Sequence, residues 1–279
     1  MNEKEVRALV ERMIVELAGQ APTPQVKGAD YHPMERESTA GDGCLDDISE
    51  IDLRRQYLVK DPRNGPAFLD LKRKTPARLG VGRAGARYKT ITMLRMRADH
   101  AAAQDSVFSH VDEAFVDQNG WVFTQTLCAD KDEYLTRPDR GRRFDEQNQA
   151  IIQKTFGRSP KVALVVGDGL SSAAIEANAA DCMQAIRAGL EAYGIPPGPV
   201  LFVKYCRVGA CDHIGDLTGA EVVCMLVGER PGLVTAESMS AYVTYQPHIG
   251  IPESKRTVVS NIHRQGTTAV EAGAPIAEL

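Results

Sequence analysis

The sequence predicts an α/β fold: a mainly parallel sheet with flanking helices, Rossmann-like in its C-terminal part, preceded by a helical region and a tethered N-terminal amphipathic helix. Three apolar runs predict the sheet: "KVALVV" from residue 161, "PVLFV" from residue 199 and "EVVCMLV" from residue 221. Helical patterns separate the runs, and this alternation favours parallel pairing through right-handed crossovers. Strands covered on both faces have uninterrupted apolar runs of this kind.

We divide the chain into four segments. Residues 1–19 predict an amphipathic helix, because apolar residues recur at helical spacing. Residues 20–45 are rich in Pro, Gly and polar residues without a period, which is typical of a flexible linker. Residues 46–120 are predicted to be helical, and residues 121–279 to form the α/β domain. The apolar stripe of the first segment consists of Val6, Leu9, Val10, Met13, Ile14 and Leu17.

Two hypotheses remain open for the N-terminal helix. It either docks on its own domain or acts as a detachable helix that binds another protein.

The individual elements follow from local patterns. The pattern over residues 87–111 predicts a helix, and the alternation of apolar and polar residues over 121–127 predicts a strand. Helices are also expected at 145–156, 170–194 and 210–219, and a helix or a further strand at 237–247. The shared apolar face predicted for the 87–111 helix consists of Ile91, Leu94, Ala98, Ala101 and Ala102.

Composition excludes several classes of partner. The formal net charge of -4 gives no electrostatic reason to expect binding to nucleic acid or an anionic membrane. No apolar run approaches the roughly 20 residues that span a bilayer, and the N-terminus does not resemble a signal peptide. The six cysteines form no CxxC pair, so we expect reduced thiols in a cytosolic protein and no zinc site.

Polar residues lie just past the ends of the three apolar runs. Asp168 follows the first run, Arg207 and Val208 follow the second, and Glu229 follows the third. Ligands of open parallel sheets bind outside the carboxyl ends of the strands. The sequence therefore predicts a ligand-binding rim at this edge.

Two glycine-rich motifs are candidates for nucleotide sites. "GVGRAG" at 80–85 matches G-x-G-x-x-G, but the segment before it is charged and contains Pro76, whereas a dinucleotide fingerprint needs a strand there. "VVGDGLSS" either presents a helix N-terminus to a ligand or is a tight turn capped by Ser171 or Ser172. The chain contains neither an HExxH motif nor a nucleophile elbow, so we predict no catalytic residues and no metal ligands.

Several motifs, in order over roughly residues 65–279, resemble the small (light) subunit of ethanolamine ammonia-lyase: "ADHAAAQD", "LTRPDRGRR", "VVGDGLSS", "VGERPG" and "VVSNIHRQGTT". The resemblance implies a lyase that converts ethanolamine to acetaldehyde and ammonia with adenosylcobalamin. It also implies a large catalytic subunit that forms a multimer of heterodimers with this one. The α/β domain would then cover the cofactor at the subunit interface.

The resemblance implies three cofactor-binding positions, which fall on Val208, Glu229 and Val258. Relatives often have Cys at the third position, whereas this chain has Val258, so a thiol contact is impossible here. Glu229 either accepts hydrogen bonds from the cofactor or forms a salt bridge with Arg230.

The resemblance further implies that cobalamin binds base-on, with its own dimethylbenzimidazole on cobalt. Base-off binding uses a D-x-H-x-x-G motif, which neither "DYHPME" at 30–35 nor "DHIG" at 212–215 matches. We therefore expect no cobalt ligand from this chain.

Lyases of this kind are often housed in bacterial microcompartments. We thus expect a cytoplasmic protein inside such a compartment, with residues 1–19 binding a shell protein or other cargo. Two alternative functions remain: a stand-alone Rossmann-like nucleotide-binding enzyme, and a structural adaptor without cofactor contacts.

Overall fold

The computed structural model describes residues 47–279. The helix predicted at 1–19 and the linker predicted at 20–45 lie outside the described residues. The helices are α1 (Gly65–Arg73), α2 (Thr90–Phe108), α3 (Glu113–Gln118), α4 (Lys131–Thr136), α5 (Glu146–Phe156), α6 (Ser172–Ala192), α7 (Ala210–Thr218) and α8 (Ala269–Glu278). The strands are β1 (Arg83–Ala84), β2 (Arg87–Tyr88), β3 (Val122–Gln125), β4 (Val162–Asp168), β5 (Val200–Lys204), β6 (Val222–Gly228), β7 (Met239–Tyr245) and β8 (Arg256–Ile262).

A six-stranded sheet with the order β3-β5-β4-β6-β7-β8 forms the centre of the fold. Strands β3, β5, β4 and β6 pair in parallel, whereas β7 is antiparallel to both β6 and β8. The sheet is therefore mixed, which corrects the expectation of a mainly parallel one. The loops before and after β7, 229–238 and 246–255, contain no α-helix. Parallel pairing needs a longer crossover, usually a helix, so β7 and β8 reverse direction instead.

Helices cover both faces of the sheet, which explains the uninterrupted apolar runs. Alternate residues of each strand point to opposite faces and enter two separate cores. Each fully buried aliphatic side chain contributes roughly 1.5–3 kcal/mol to stability. The core beneath α6 and α8 includes Leu164, Phe202, Leu226, Ile175, Met183 and Ile276. The core beneath α5 and α7 includes Val165, Val203, Met225, Ile152 and Ile214.

The region predicted to be helical is only partly so. It contains α1, α2 and α3 but also the β1–β2 hairpin, which begins inside the "GVGRAG" motif. That motif leads into a hairpin rather than a strand–turn–helix unit. It therefore lacks the structural context of a dinucleotide-binding turn.

The apolar face predicted for α2 does not form the buried side of that helix. Leu94 is 48% exposed, and Ala101 and Ala102 are exposed as well. The buried residues are Thr92 and Ser106, whose hydroxyls bond to the Val81 carbonyl (3.0 Å) and to Ser171 Oγ (3.1 Å). Polar contacts, rather than an apolar stripe, therefore attach α2 to the body.

Other predictions agree with the structure. The strand at 121–127 is β3, the three later helices are α5, α6 and α7, and segment 237–247 forms a strand, β7. The five described cysteines are free, buried thiols. Among residues 47–279, no helix is long and apolar enough to cross a membrane.

Candidate functional site

The carboxyl ends of β4, β5 and β6 meet at one edge of the sheet, as predicted. The antiparallel hairpin adds to this edge, because Gly228 pairs with Met239 and Met239 pairs with Ile262. Strand β7 therefore starts at the rim, and β8 ends there. Gly228 must remain a glycine, since a Cβ atom there would lie 2.1 Å from the Ser171 carbonyl oxygen.

The Glu229 carboxylate ties the three strands β6, β7 and β8 together. Its Oε2 accepts a hydrogen bond from Ser238 Oγ (2.8 Å). Its Oε1 accepts from Ser240 Oγ and from the backbone N–H of Asn261 (3.2 Å). A carboxylate has about four acceptor sites, so three donors leave one free for a ligand. No ion pair among the described residues joins Glu229 to Arg230, so the salt bridge, one of the two alternatives for Glu229, is not formed.

A β-bulge in β8 aims the Asn261 N–H at Glu229. Ala241 pairs with Val259 and Met239 with Ile262, so two residues of β8 oppose one residue of β7. Asn261 adopts a left-handed conformation (φ 63°), which Asn tolerates better than most residues.

The loop after β8 holds this bulge in place. The Thr267 N–H donates to the Asn261 carbonyl (3.1 Å), and Asn261 Oδ1 lies 2.8 Å from His263 Nε2. Gly266 packs so closely that a Cβ atom there would lie 2.2 Å from the Asn261 carbonyl oxygen. Sequence reasoning assigned no role to Asn261. An Asn followed five residues later by a Gly was the available signal.

Val258 lies in the middle of the edge strand β8 and is 45% exposed. It pairs with Tyr242, so both side chains point to the α7 side of the sheet. Val208 is half-buried against the core on that same side. Ser240, which binds Glu229, pairs with Val227 of the same core.

All three predicted positions therefore belong to one side of the sheet. Val258 precedes the rim residue Ile262 by four positions, about 13 Å along a strand. Only a large ligand can contact Val258 and the rim together.

Asp168, a predicted rim residue, has a structural role instead. Its carboxylate is buried and accepts hydrogen bonds from the Val111 N–H (3.3 Å) and Ser172 Oγ (2.7 Å). Nearby, the buried Lys131 donates to the Gly169 carbonyl (3.0 Å). Burial lowers the pKa of Lys131, while the Asp168 carboxylate opposes that shift.

The turn "VVGDGLSS" is closed by the chain itself. Ser171 Oγ accepts from the Ala174 N–H (3.1 Å) at the start of α6 and donates to the Ala236 carbonyl. This arrangement confirms the interpretation of a tight turn capped by Ser171. The Ser171 hydroxyl thus caps one N–H group of the helix N-terminus.

Arg207 connects the "LTRPDRGRR" motif to the rim. Its guanidinium lies 4.3 Å from the centre of the Tyr134 ring and donates through Nη2 to the Tyr134 carbonyl (2.7 Å). Its backbone N–H donates to the Gly141 carbonyl (2.9 Å). Arg207 Nε is buried and has no hydrogen-bond partner among the described residues, so its N–H is a donor that, in addition to the free acceptor of Glu229, remains for a ligand.

Two of the described histidines, His213 and His248, are engaged in structural contacts. His213 Nδ1 accepts from the Phe144 N–H (3.2 Å), and its ring packs 5.6 Å from the Phe144 ring. His248 Nδ1 lies 2.9 Å from the Gln246 carbonyl oxygen. Within residues 47–279, no group of three or more His, Cys, Asp or Glu side chains is arranged to hold a metal ion.

A cleft of about 730 Å³ lies at the opposite edge of the sheet, between α6 and the start of β5, with Trp121, Arg187 and Val200 in its lining. It contains none of the three predicted residues. Because the free polar groups lie at the rim, we place the candidate site at the rim rather than in this cleft.

The fold and this site define an α/β protein with a candidate ligand-binding rim, whose described residues offer shape and contacts rather than a nucleophile or an acid–base pair. The family model for the ethanolamine ammonia-lyase light chain (EutC) matches residues 66–279. Three relatives are each called "Ethanolamine ammonia-lyase small subunit". They come from Clostridioides difficile (60% identical over 279 residues), Clostridium perfringens (58% over 280) and Listeria monocytogenes (52% over 279). Each comparison covers all of this chain and 95% of the relative. The chain belongs to the ethanolamine ammonia-lyase light-chain family.

Proposed function

We propose that this chain is the small subunit of an adenosylcobalamin-dependent ethanolamine ammonia-lyase, and that it clamps the cofactor at the interface with a large catalytic subunit. The observation that carries the proposal is the Glu229 hub, which shares one side of the sheet with Val208 and Val258. When bound, adenosylcobalamin supplies radical chemistry by cleavage of its cobalt–carbon bond. The residues of this chain bind and orient it and exclude water.

The side chains at the rim and on the adjoining face of the sheet fit such a ligand. Val208 and Val258 offer apolar surface to the macrocycle, beside the half-buried Tyr242. The free acceptor site of Glu229 suits the amide N–H groups at the edge of the corrin. The unpartnered Arg207 Nε suits an acceptor atom of the nucleotide tail.

Base-on binding is part of the proposal. The Nδ1 atom of His213, the histidine of "DHIG", is occupied by a backbone N–H, and the ring is packed on Phe144. This contact supports binding without a cobalt ligand from this chain. His32, in "DYHPME", lies outside the described residues.

A large catalytic subunit is the proposed partner, in a multimer of heterodimers. Much exposed apolar surface lies in the region before the α/β domain and in the loop that follows Glu229. Such surface marks contact sites in soluble proteins. These residues are Val59, Leu71, Leu79, Tyr88, Met93, Leu94, Phe108, Leu233 and Val234.

We place the enzyme in the cytoplasm, inside a bacterial microcompartment that retains volatile acetaldehyde. Residues 1–19 would bind a shell protein or other cargo. The support is the apolar stripe of that segment and the linker composition that follows it.

The proposal is tested with the two-subunit complex and adenosylcobalamin. Val258→Asp places a charge on the surface that would face the macrocycle and is expected to weaken cofactor binding at least about tenfold, because an unpaired charge is costly in an apolar contact. Val270→Asp is the matched control: Val270 is also exposed, but on α8, which covers the opposite face of the sheet.

Equal cofactor affinities for wild type and both variants would refute the clamping role and favour a structural adaptor. Binding of a nicotinamide or adenine nucleotide by the chain alone would favour the stand-alone nucleotide enzyme. The hairpin geometry of "GVGRAG" already weakens that alternative.

A further inference from the structure

An ion pair buried between β8 and α7 joins two of the segments that carry the proposed contact residues. Arg256 is the first residue of β8, and its side chain is 1% exposed although β8 is an edge strand. Its Nη1 and Nη2 donate to the two carboxylate oxygens of Asp212, at 2.8 and 2.9 Å. Asp212 lies in the first turn of α7 and is 13% exposed. The contact is bidentate, so it fixes direction as well as distance.

Each member of the pair lies next to a proposed contact residue. Val208 precedes Asp212 by four residues, and its carbonyl accepts from the Cys211 N–H (3.1 Å), so both belong to one continuous turn. Val258 follows Arg256 by two residues. The two side chains share a face, because Arg256 pairs with Thr244 and Val258 pairs with Tyr242.

Strand β8 also contacts Glu229, the third proposed contact residue. Asn261 of β8 donates its N–H to Glu229, three residues after Val258. Arg256 and Asn261 thus lie on either side of Val258 in the strand. Arg256 connects β8 to the turn that carries Val208, and Asn261 connects β8 to Glu229. Within residues 47–279, strand β8 pairs only with β7, so the ladder of these residues leaves the outer side of β8 unsupported.

We propose that Arg256 and Asp212 are positioning residues of the cofactor site: their bidentate pair sets the spacing between Val208 and Val258. The inference rests on the proposed function. A buried ion pair adds little net stability over a well-packed apolar pair. The role that we assign to this pair is therefore to fix the geometry of the site.

The test compares adenosylcobalamin binding by complexes that carry Arg256→Lys, the double change Arg256→Met with Asp212→Leu, or the control Glu253→Gln. The double change replaces the pair by apolar groups of similar size, which preserves stability in other proteins. Glu253 contacts the same guanidinium (2.7 Å), but its side chain is 64% exposed and it belongs to no segment of the site.

We expect the double variant to keep the melting temperature of the complex while its cofactor dissociation constant rises about tenfold. That factor is the lower end of the loss seen when residues that orient ligands at metal sites are removed. The visible circular dichroism of bound cobalamin should change as well. Arg256→Lys keeps the charge but not the fork, so its affinity should fall between wild type and the double variant. Glu253→Gln should match wild type.

Wild-type affinity and spectrum in the double variant would overturn the inference. If that variant does not assemble, Arg256→Lys decides in the same way. A loss of affinity that merely follows a loss of melting temperature would show a structural role only. Val258→Asp, measured in parallel, separates the two proposals: if it also binds normally, the clamping function itself is wrong.

Discussion

Replacement of Glu229 should destabilise the chain even when no cofactor is present. Its carboxylate accepts hydrogen bonds from Ser238, Ser240 and the Asn261 N–H. A hydrogen bond to a charged group contributes about 1.5–3 kcal/mol and a neutral one about 0.5–1.5 kcal/mol. Glu229→Gln keeps three neutral bonds once Ser238 rotates to accept from the new amide. Glu229→Leu keeps none.

The site is only half-buried, so water compensates part of each loss. We expect a decrease in the free energy of unfolding of about 1–2 kcal/mol for Gln and about 3 kcal/mol for Leu. For a domain of this size, 1 kcal/mol lowers the melting temperature by roughly 2–4 °C, so the leucine variant should melt roughly 6–12 °C lower.

Calorimetry or urea unfolding of the chain without cofactor measures this effect. Arg230→Gln is a suitable control, because no described ion pair connects Arg230 to Glu229. Equal unfolding midpoints for wild type and Glu229→Leu would refute the idea that this carboxylate holds β6, β7 and β8 together.

Four further expectations concern activity, thiols and targeting. The purified chain, supplied with cofactor and ethanolamine, should form no acetaldehyde, since its described residues contain no catalytic set; product from the chain alone would contradict this. Val258→Cys should leave activity of the complex nearly unchanged, because a free Cys packs as a small apolar group; a large gain would assign the thiol a role. Burial raises the pKa of Cys182 and of Cys224 to about 12, and it also raises the pKa of Cys128, Cys206 and Cys211, so almost none of the described thiols is ionised at pH 8. In a Cys44→Ser background the folded chain should therefore resist a disulfide reagent until denaturant is added, and prompt labelling would disprove it. Deletion of residues 1–19 should preserve activity and stability but abolish compartment association, and those residues should carry a fluorescent protein to the compartment; a stability loss of several kcal/mol with a diffuse fusion would show internal docking instead.

The parallel half of the sheet could be predicted because its signals are local. Each apolar run is covered on both faces, so the sequence itself marks β4, β5 and β6. The turn before α6 was equally readable, since Ser171 caps a helix whose first residues follow it directly. Motif resemblance then placed Val208, Glu229 and Val258, and the structure puts all three on one side of the sheet.

The rest depends on contacts between distant residues. Strand β8 has no regular alternation of buried and exposed residues, and only Val258, Val259 and Ile262 are apolar, so neither a period of two nor an apolar run marks it as a strand. Helix α2 is attached through the hydroxyls of Thr92 and Ser106, which no hydrophobic period reveals. The partners of Glu229 come from the start of β7, from Ser238 just before it and from a bulge in β8. The local sequence shows only the neighbouring Arg230, so it could not reveal that Glu229 connects three strands.

The antiparallel arrangement of β7 and β8 also affects how the chain folds. The two strands are consecutive in sequence, so their pairing closes a short loop, whereas β4, β5 and β6 pair only across whole helices. Edge units with local contacts open at a lower free-energy cost than a central core does. Of these two strands, only β8 lies at the edge, because β7 also pairs with β6 and its Met239 and Ala241 are fully buried in the core. Opening of β8 alone would remove the Asn261 N–H from Glu229 and leave Ser238 and Ser240 in place. The rate of amide hydrogen exchange along β8 thus measures the fraction of molecules in which the rim is open.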